Sequence, residues 1–318
     1  MCRKIIFAVL VLSANFLYAQ SVDAPHATPK HLDSDEFDVL AGNKAPQPSV
    51  VSGSFTFTTI DFPGGSRTRA LGRSDPGDIV GDYFDTAGVR HAYLFSQGMF
   101  TSFDVPGAIE TRGLVINNSG VIGGTFLDSN KVRHSYLLNQ GNFTVFDFPG
   151  ASATFLQGMN ARGDVVGVYF DSSGNTHGFL LSAGNFTTID FPGAVDGTVA
   201  TSINAQGQIV GAYGDSSGNT HGFLLSQGNF TTIDFPGAFS ITQAFGIAAN
   251  GNIVGYYDDD RGLTHGFQLQ QGIFSTIDSP GAKGGTEAVR VNESGQVVGF
   301  YFLLGGSHGF LATRNQSD

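Results

Sequence analysis

The sequence predicts an all-β protein, a six-bladed β-propeller built from four-stranded antiparallel blades. Three observations carry that reading. A Pro-Gly pair recurs at Pro63, Pro106, Pro149, Pro192, Pro236 and Pro280, a period of 43 or 44 residues, and six tandem copies fill most of the chain. Periods in this range belong to propellers and solenoids, where each copy buries its apolar face only against its neighbours. Glycine is abundant, at 45 of 318 residues, and charged residues are scarce at 14%, as in short strands joined by tight turns. Each copy also holds four short β-type runs, which suits a propeller blade better than a solenoid coil.

The third copy shows the elements in order. Residues 154–159 begin a strand, and Asn160-Ala161-Arg162-Gly163 is a tight hairpin with Gly in the left-handed region. A second strand at 165–169 leads to the turn Asp171-Ser172-Ser173-Gly174-Asn175, and a third strand follows at 177–181. Ala183-Gly184-Asn185 makes another hairpin into a fourth strand at 186–191. Pro192-Gly193-Ala194 and a variable patch then form the one longer link, which steps to the next blade. The phase of the repeat adds a detail. Residues 55–62 are a fourth-type strand, whereas the chain stops after a third-type strand at 308–313. Residues 55–62 are therefore expected to pair beside 308–313 and close the ring without an open edge in the last blade.

Residues 1–20 read as a secretory signal: Arg3 and Lys4, an apolar run from Ile5 to Leu12, then Ala19-Gln20. The run is too short to stay in a bilayer as an anchor, so no membrane insertion is expected. Residues 21–52, with four prolines among charged and small residues, read as a disordered linker; 53–313 are the propeller and 314–318 a tail. The expected location is secreted or periplasmic, as a monomer. Cys2 is the one cysteine, so the processed chain has no disulfide framework. A net charge of −11 argues against nucleic acid and anionic membrane as partners.

Most of what recurs reads as structure. One Gly per copy lies inside the second strand (Gly81, Gly124, Gly167, Gly211, Gly255, Gly299), where it marks a bulge or a close approach. Aromatic residues two positions later supply packing between blades. Six His (His91, His134, His177, His221, His265, His308) and six Asp (Asp61, Asp104, Asp147, Asp190, Asp234, Asp278) recur once per copy. Each His opens a third strand and each Asp ends the fourth strand beside it. They are expected to meet as one hydrogen-bonded clip per blade. A metal site needs three or four ligands converging on one point, so no metal is expected there. Asp258-Asp259-Asp260 reads as a solvated acidic turn in preference to a calcium site. No cofactor motif is present.

The pattern Ile203-Asn204-x-x-Gly207-x-Ile209-Val210-Gly211-x-Tyr213, followed by His221-Gly222-Phe223-Leu224, resembles the bacterial extracellular repeats named for a His-Ala-Phe tripeptide, the HAF family. The likeness covers about residues 55–313 and implies an exported propeller. It implies no activity and no catalytic residue.

A site that occurs once must use what differs between copies. After the recurring Thr of each link the next residue varies: Arg69, Arg112, Phe155, Val199, Gln243 and Glu287. These begin the strands nearest the axis and are expected to ring one mouth of the central channel, where propeller ligands commonly bind. Arg67, Arg69 and Arg112, with Arg90, Lys131 and Arg133 on nearby turns, make one sector basic. The candidate ligand residues are thus Arg67, Arg69, Arg112, Phe155, Gln243 and Glu287, with an anionic carbohydrate or a surface protein as partner. The favoured reading is a non-catalytic recognition or scaffold propeller. The alternative, a secreted hydrolase or lyase at the channel mouth, needs paired carboxylates, for which only Glu287, Glu110 and Asp196 offer themselves.

Overall fold

The computed structural model describes residues 50–52 and 54–315, the first three by their main chain alone. Six four-stranded antiparallel sheets follow one another along the chain, at 66–103, 110–146, 153–189, 198–233, 242–277 and 286–314 with Phe55–Ile60; we call them blades 1 to 6. The first strands, Ser66–Arg73, Glu110–Ile116, Ala153–Met159, Thr198–Ile203, Thr242–Ile247 and Thr286–Val291, touch their neighbours all the way round, so they line the axis. The protein is a six-bladed β-propeller.

Closure is as the phase of the repeat predicts. Phe55–Ile60 pairs antiparallel with Gly306–Arg314, with Phe55 opposite Arg314 and Ile60 opposite Gly309. The Asn315 amide extends the pairing by donating to the Ser54 carbonyl at 2.9 Å. One element was not foreseen. Val50–Ser52, placed in the linker by sequence, lies parallel to Ile273–Ile277 and gives blade 5 a fifth strand. Its backbone groups find partners on the open edge of that blade, which a polar linker would leave to water. The signal-like residues 1–20, the rest of the lead-in and residues 316–318 lie outside the described residues.

Local chemistry explains the regular parts. Five of the hairpins between third and fourth strands carry two successive positive φ angles, for example 48° at Ala183 and 79° at Gly184. That is the type I′ geometry whose twist matches the strands it joins. Each link is fastened by its recurring Thr, whose hydroxyl accepts the amide of the residue before Pro or its counterpart: Phe62 to Thr68 at 3.1 Å, and likewise at Thr111, Thr154, Thr198, Thr242 and Thr286. The links into blades 4, 5 and 6 are one residue longer than the others, which is why the period slips from 43 to 44.

Every first strand bulges at the same place. The register between first and second strands slips by one at Leu71, Leu114, Gln157, Thr201, Phe245 and Val289. Leu71, Leu114, Phe245 and Val289 meet Tyr256 and Phe300 in one buried cluster on the axis. A void of about 20 Å³ remains beside it, room for a single water at most. The channel is plugged by its own side chains.

Candidate functional site

The recurring His and Asp come together in every blade. His91 and Asp104 stand 2.7 Å apart, His134 and Asp147 2.7 Å, His177 and Asp190 3.0 Å, His221 and Asp234 2.9 Å, His265 and Asp278 2.9 Å, and His308 and Asp61 2.8 Å, each through Nδ1. In five blades Nε2 faces a second carboxylate across the preceding turn, Asp85, Asp128, Asp171, Asp215 or Asp259, at 3.3 to 3.7 Å. These turn residues also accept main-chain amides, as Asp171 does from Ser173 and Asn175 at 2.8 Å. The two carboxylates address opposite nitrogens of one ring, so they cannot converge on a common cation. Among the described residues no three acidic, His or Cys side chains gather as a metal site. Asp258 and Asp259 are likewise occupied: Thr264 donates to the first, and the Arg261 guanidinium and the Leu263 amide donate to the second.

The expected ring of variable residues exists, but it is closed. Arg69, Arg112, Phe155, Val199, Gln243 and Glu287 face Asp82, Thr125, Val168, Ala212, Tyr256 and Phe300 across the first two strands of their blades, and all twelve are buried. The open mouth predicted for these residues is corrected accordingly: the bulges turn Leu71, Leu114, Phe245 and Val289 onto the axis and leave no cavity for a sugar there. Arg67 alone of the candidates is exposed, at the start of the first strand of blade 1, with its guanidinium 5.3 Å from the Phe84 ring.

The polar half of the ring is an ion-pair network. Arg69 grips the Asp82 carboxylate with Nε at 2.8 Å and Nη2 at 2.5 Å, and Arg112 adds Nε at 3.1 Å from the next blade. Burial opposes ionisation of Asp82, yet Arg69 and Arg112 hold its carboxyl far below the usual carboxylate range. Glu287 has the opposite fate. Burial pushes it up to about 8, against the pull of Arg69, and its Oε2 meets no donor among the described residues. Glu110, in blade 2, pairs with Arg133, Asp196 lies on the link between blades 3 and 4, and Glu287 stands in blade 6, so the three carboxylates an active site would have to combine are spread over different parts of the ring.

Arg290 is a residue that sequence reasoning passed over. It sits just past the bulge of blade 6, where the other blades have Gly72, Val115, Gly158, Ser202 and Gly246. Its guanidinium donates to the carbonyls of Gln157, Thr201 at 3.2 Å, Phe245 at 2.8 Å and Val289 at 2.8 Å, which are the bulge carbonyls of four successive blades. The signal was available: one charged letter in a column of small and apolar ones.

An open cavity lies on the face that carries the links. A cleft of about 250 Å³ between blades 3 and 4 is lined by Asn175, His177, Asp190, Phe191, Val195, Asp196 and their neighbours. Small residues contribute to its opening, although the same Thr–Gly pair recurs at Thr264 and Gly285 between blades 5 and 6. The residue before the clip His is Thr176 here, but Arg90 and Arg133 in blades 1 and 2, where long side chains take up the space. Opposite Thr176 stands Gly197, whose φ is 100°; a Cβ there would lie 2.7 Å from the Thr176 Cβ. In the next blade the corresponding residue is Ile241, which bridges to Thr220. The floor is firm, since Phe191 stacks on Tyr213 at 3.6 Å. The rim is apolar at the exposed Val195.

No protein-family profile matches the chain, and no curated protein matches it in sequence. Among solved structures it is similar to a mutant of the Aleuria aurantia lectin in complex with Fucα1-6GlcNAc, at 12% identity and a TM-score of 0.51 over 81% of this chain and 97% of that one. It is similar also to AofleA from Arthrobotrys oligospora, at 11% identity and a TM-score of 0.50 over 85% and 96%. At such identities the likeness is one of fold.

Proposed function

We propose that the protein is an exported, non-catalytic recognition propeller that holds a neutral, hydroxyl-rich saccharide in the cleft between blades 3 and 4. The observation that carries this reading is the lining of that cleft: Asp190, Asp196 and Asn175 offer acceptors and an amide to sugar hydroxyls, while Phe191 and Val195 offer apolar surface to sugar C–H groups. Two carboxylates and no Lys or Arg line it, so an anionic sugar would be repelled. That changes the charge expected of the partner and moves the site from the channel to the rim. Propellers of the same fold support a saccharide, one having been solved with a fucosylated disaccharide bound. Export rests on the basic and apolar pattern of residues 1–20, and kinship with the HAF-type repeats on the Asn, Gly and His spacing.

The test is a glycan array followed by calorimetric titration of the processed protein. Asp196→Ala and Val195→Asp should each weaken binding by about tenfold or more, the loss of one well-placed contact, without moving the melting temperature. A chain that retains no neutral saccharide, or variants that bind as well as the parent, would overturn the assignment.

A further inference from the structure

A second feature of the same face, between blades 1 and 2, carries chemistry of its own. Four guanidiniums gather there, Arg69, Arg90, Arg112 and Arg133, against two carboxylates, Asp82 and Glu110. Asp82 is shared by Arg69 and Arg112, and Glu110 is taken by Arg133. Two positive charges are left over within a chain whose net charge is −11. The excess is buried: Arg112 is 2% exposed and Arg133 8%. Glu287, the next acid round the ring from Arg69, does not offset it, because burial keeps that carboxyl protonated at neutral pH.

Hydrogen bonding shows the same deficit. Nη2 of Arg112 and Nε of Arg90 are buried donors with no acceptor among the described residues. A buried guanidinium N–H without an acceptor costs more than an ordinary unpaired amide, because the group cannot shed its proton to escape. Burial disfavours the charged form of Arg112, and repulsion from Arg69 and Arg90 adds to it. The cluster reaches the surface through Arg90, which is partly exposed and lies 4.5 Å over the Phe84 ring, beside the exposed Arg67.

We propose that this sector is an anion site, with Arg112 and Arg90 holding a tetrahedral, doubly charged oxyanion of the sulfate or phosphate type. Two negative charges match the excess, and the planar, multiply donating guanidinium suits oxyanion edges. The group arrives either as the free ion or as a phosphate monoester on a sugar, since a sulfate monoester carries only one negative charge. The site is separate from the saccharide cleft, from which blade 3 divides it, so either assignment can fail without the other.

Thermal unfolding of the processed protein in sulfate, phosphate and chloride at matched ionic strength tests it. Sulfate stabilises most proteins by exclusion from their surface, in a manner that rises without saturating. A bound anion instead gives a rise that follows the logarithm of its concentration above Kd and shows a discrete stoichiometry in a calorimetric titration. The expected result is one saturable sulfate or phosphate per chain, lost in Arg90→Gln and in Arg112→Gln and kept in Asp196→Ala. Arg112→Gln strips a partner from Asp82 and can compromise folding; Arg90 makes no hydrogen bond to Asp82, so Arg90→Gln carries the test alone if need be. Glucose 6-phosphate forms the third arm: tighter binding than inorganic phosphate assigns the ester, and equal or weaker binding the free ion. An unsaturating sulfate effect that is the same in Arg90→Gln overturns the proposal.

Discussion

The carbonyl oxygen of Arg69 lies so close over Gly81 that a Cβ on that glycine would stand 1.8 Å from it. The same contact recurs at 1.9 to 2.1 Å in the other blades, from Arg112 over Gly124 to Glu287 over Gly299. The bulge just beyond each of these carbonyls pushes the first strand onto the second, and only a residue without a side chain tolerates it. In blades 1 and 2 the hydroxyl of the buried Tyr, Tyr93 or Tyr136, donates to that carbonyl at 3.0 Å.

Gly81→Ala should therefore be among the most damaging single changes in the chain. Backbone must move, and a loss of about 3 kcal/mol or more is expected. Gly88→Ala, at a turn where φ is 79° and no atom lies within 4 Å of the added Cβ, should cost only about 1 kcal/mol. Urea denaturation of the two variants separates close approach from turn conformation.

The clips should tune stability with pH from both sides. Burial works against protonation of His91 and His221, but their bonds to Asp104 and Asp85, and to Asp234 and Asp215, outweigh it and raise both rings above the ordinary value. Their contribution is full below about pH 6.5 and fades as pH rises through the folded-state values. Asp171 is held down at about 2 by the Asn175 side chain and amide, so its contribution is present above about pH 4 and lost only in strong acid. Maximum stability is expected between these limits. His177→Ala, at a pair whose Asp190 side chain is 49% exposed, should cost no more than about 1 kcal/mol.

Glu287 adds a steeper term. Its folded-state value of about 8 lies above that of an unfolded Glu, so folding binds a proton across that interval. Its contribution is complete below about pH 4.3 and is lost as pH rises to the folded value, by up to about 1.4 kcal/mol per unit. Glu287→Gln should therefore stabilise the protein at pH 8, leave it unchanged near pH 4, and flatten the profile between. A variant less stable than the parent at pH 8 would contradict this account of the carboxyl.

Ring closure predicts an abrupt truncation boundary. A chain beginning at Ser54 loses the added edge strand of blade 5 but keeps Phe55–Ile60 on Gly306–Arg314, and should melt close to the parent. A chain beginning at Phe62 leaves blade 6 with three strands and His308 without Asp61, and should melt far lower, with apolar surface exposed around Phe310, which loses the Phe57 ring that covers it. Calorimetry and dye binding on the two chains distinguish these outcomes.

What could be read before the structure was whatever the six copies share. His177 and Asp190 stand 13 residues apart with a tight hairpin between, and hairpin geometry alone brings them side by side. The mid-strand glycines announced a close approach for the same reason. The bulge residues were not legible, because Leu71, Gln157, Thr201 and Phe245 share no chemistry; what repeats there is a backbone irregularity. The burial of Arg69 and Arg112 was hidden too. Sequence places them on the innermost strand, but whether such a position faces an open mouth depends on those bulges filling the axis. The cleft escaped notice because its small residues, Thr176 and Gly197, recur as Thr264 and Gly285 between blades 5 and 6, so nothing in the lettering singles it out.

Arg290 yields the sharpest prediction, because its environment leaves one interpretation. No carboxylate offsets it; burial alone lowers its proton affinity, to about 10, and it remains charged at neutral pH. Its energetic return comes from the carbonyls of Gln157, Thr201, Phe245 and Val289, which converge because each blade bulges toward the axis. Arg290→Met keeps the length and the apolar stem but leaves those four carbonyls without their donor, so a loss of about 3 kcal/mol or more is expected. Arg290→Lys supplies charge without the planar fork, can reach fewer of the carbonyls at once, and should recover part of the loss. If Arg290→Met melts with the parent, the guanidinium is a passenger in the plug and apolar packing alone holds blades 3 to 6 together. If Lys restores nothing, what matters there is the geometry of the fork and not the positive charge.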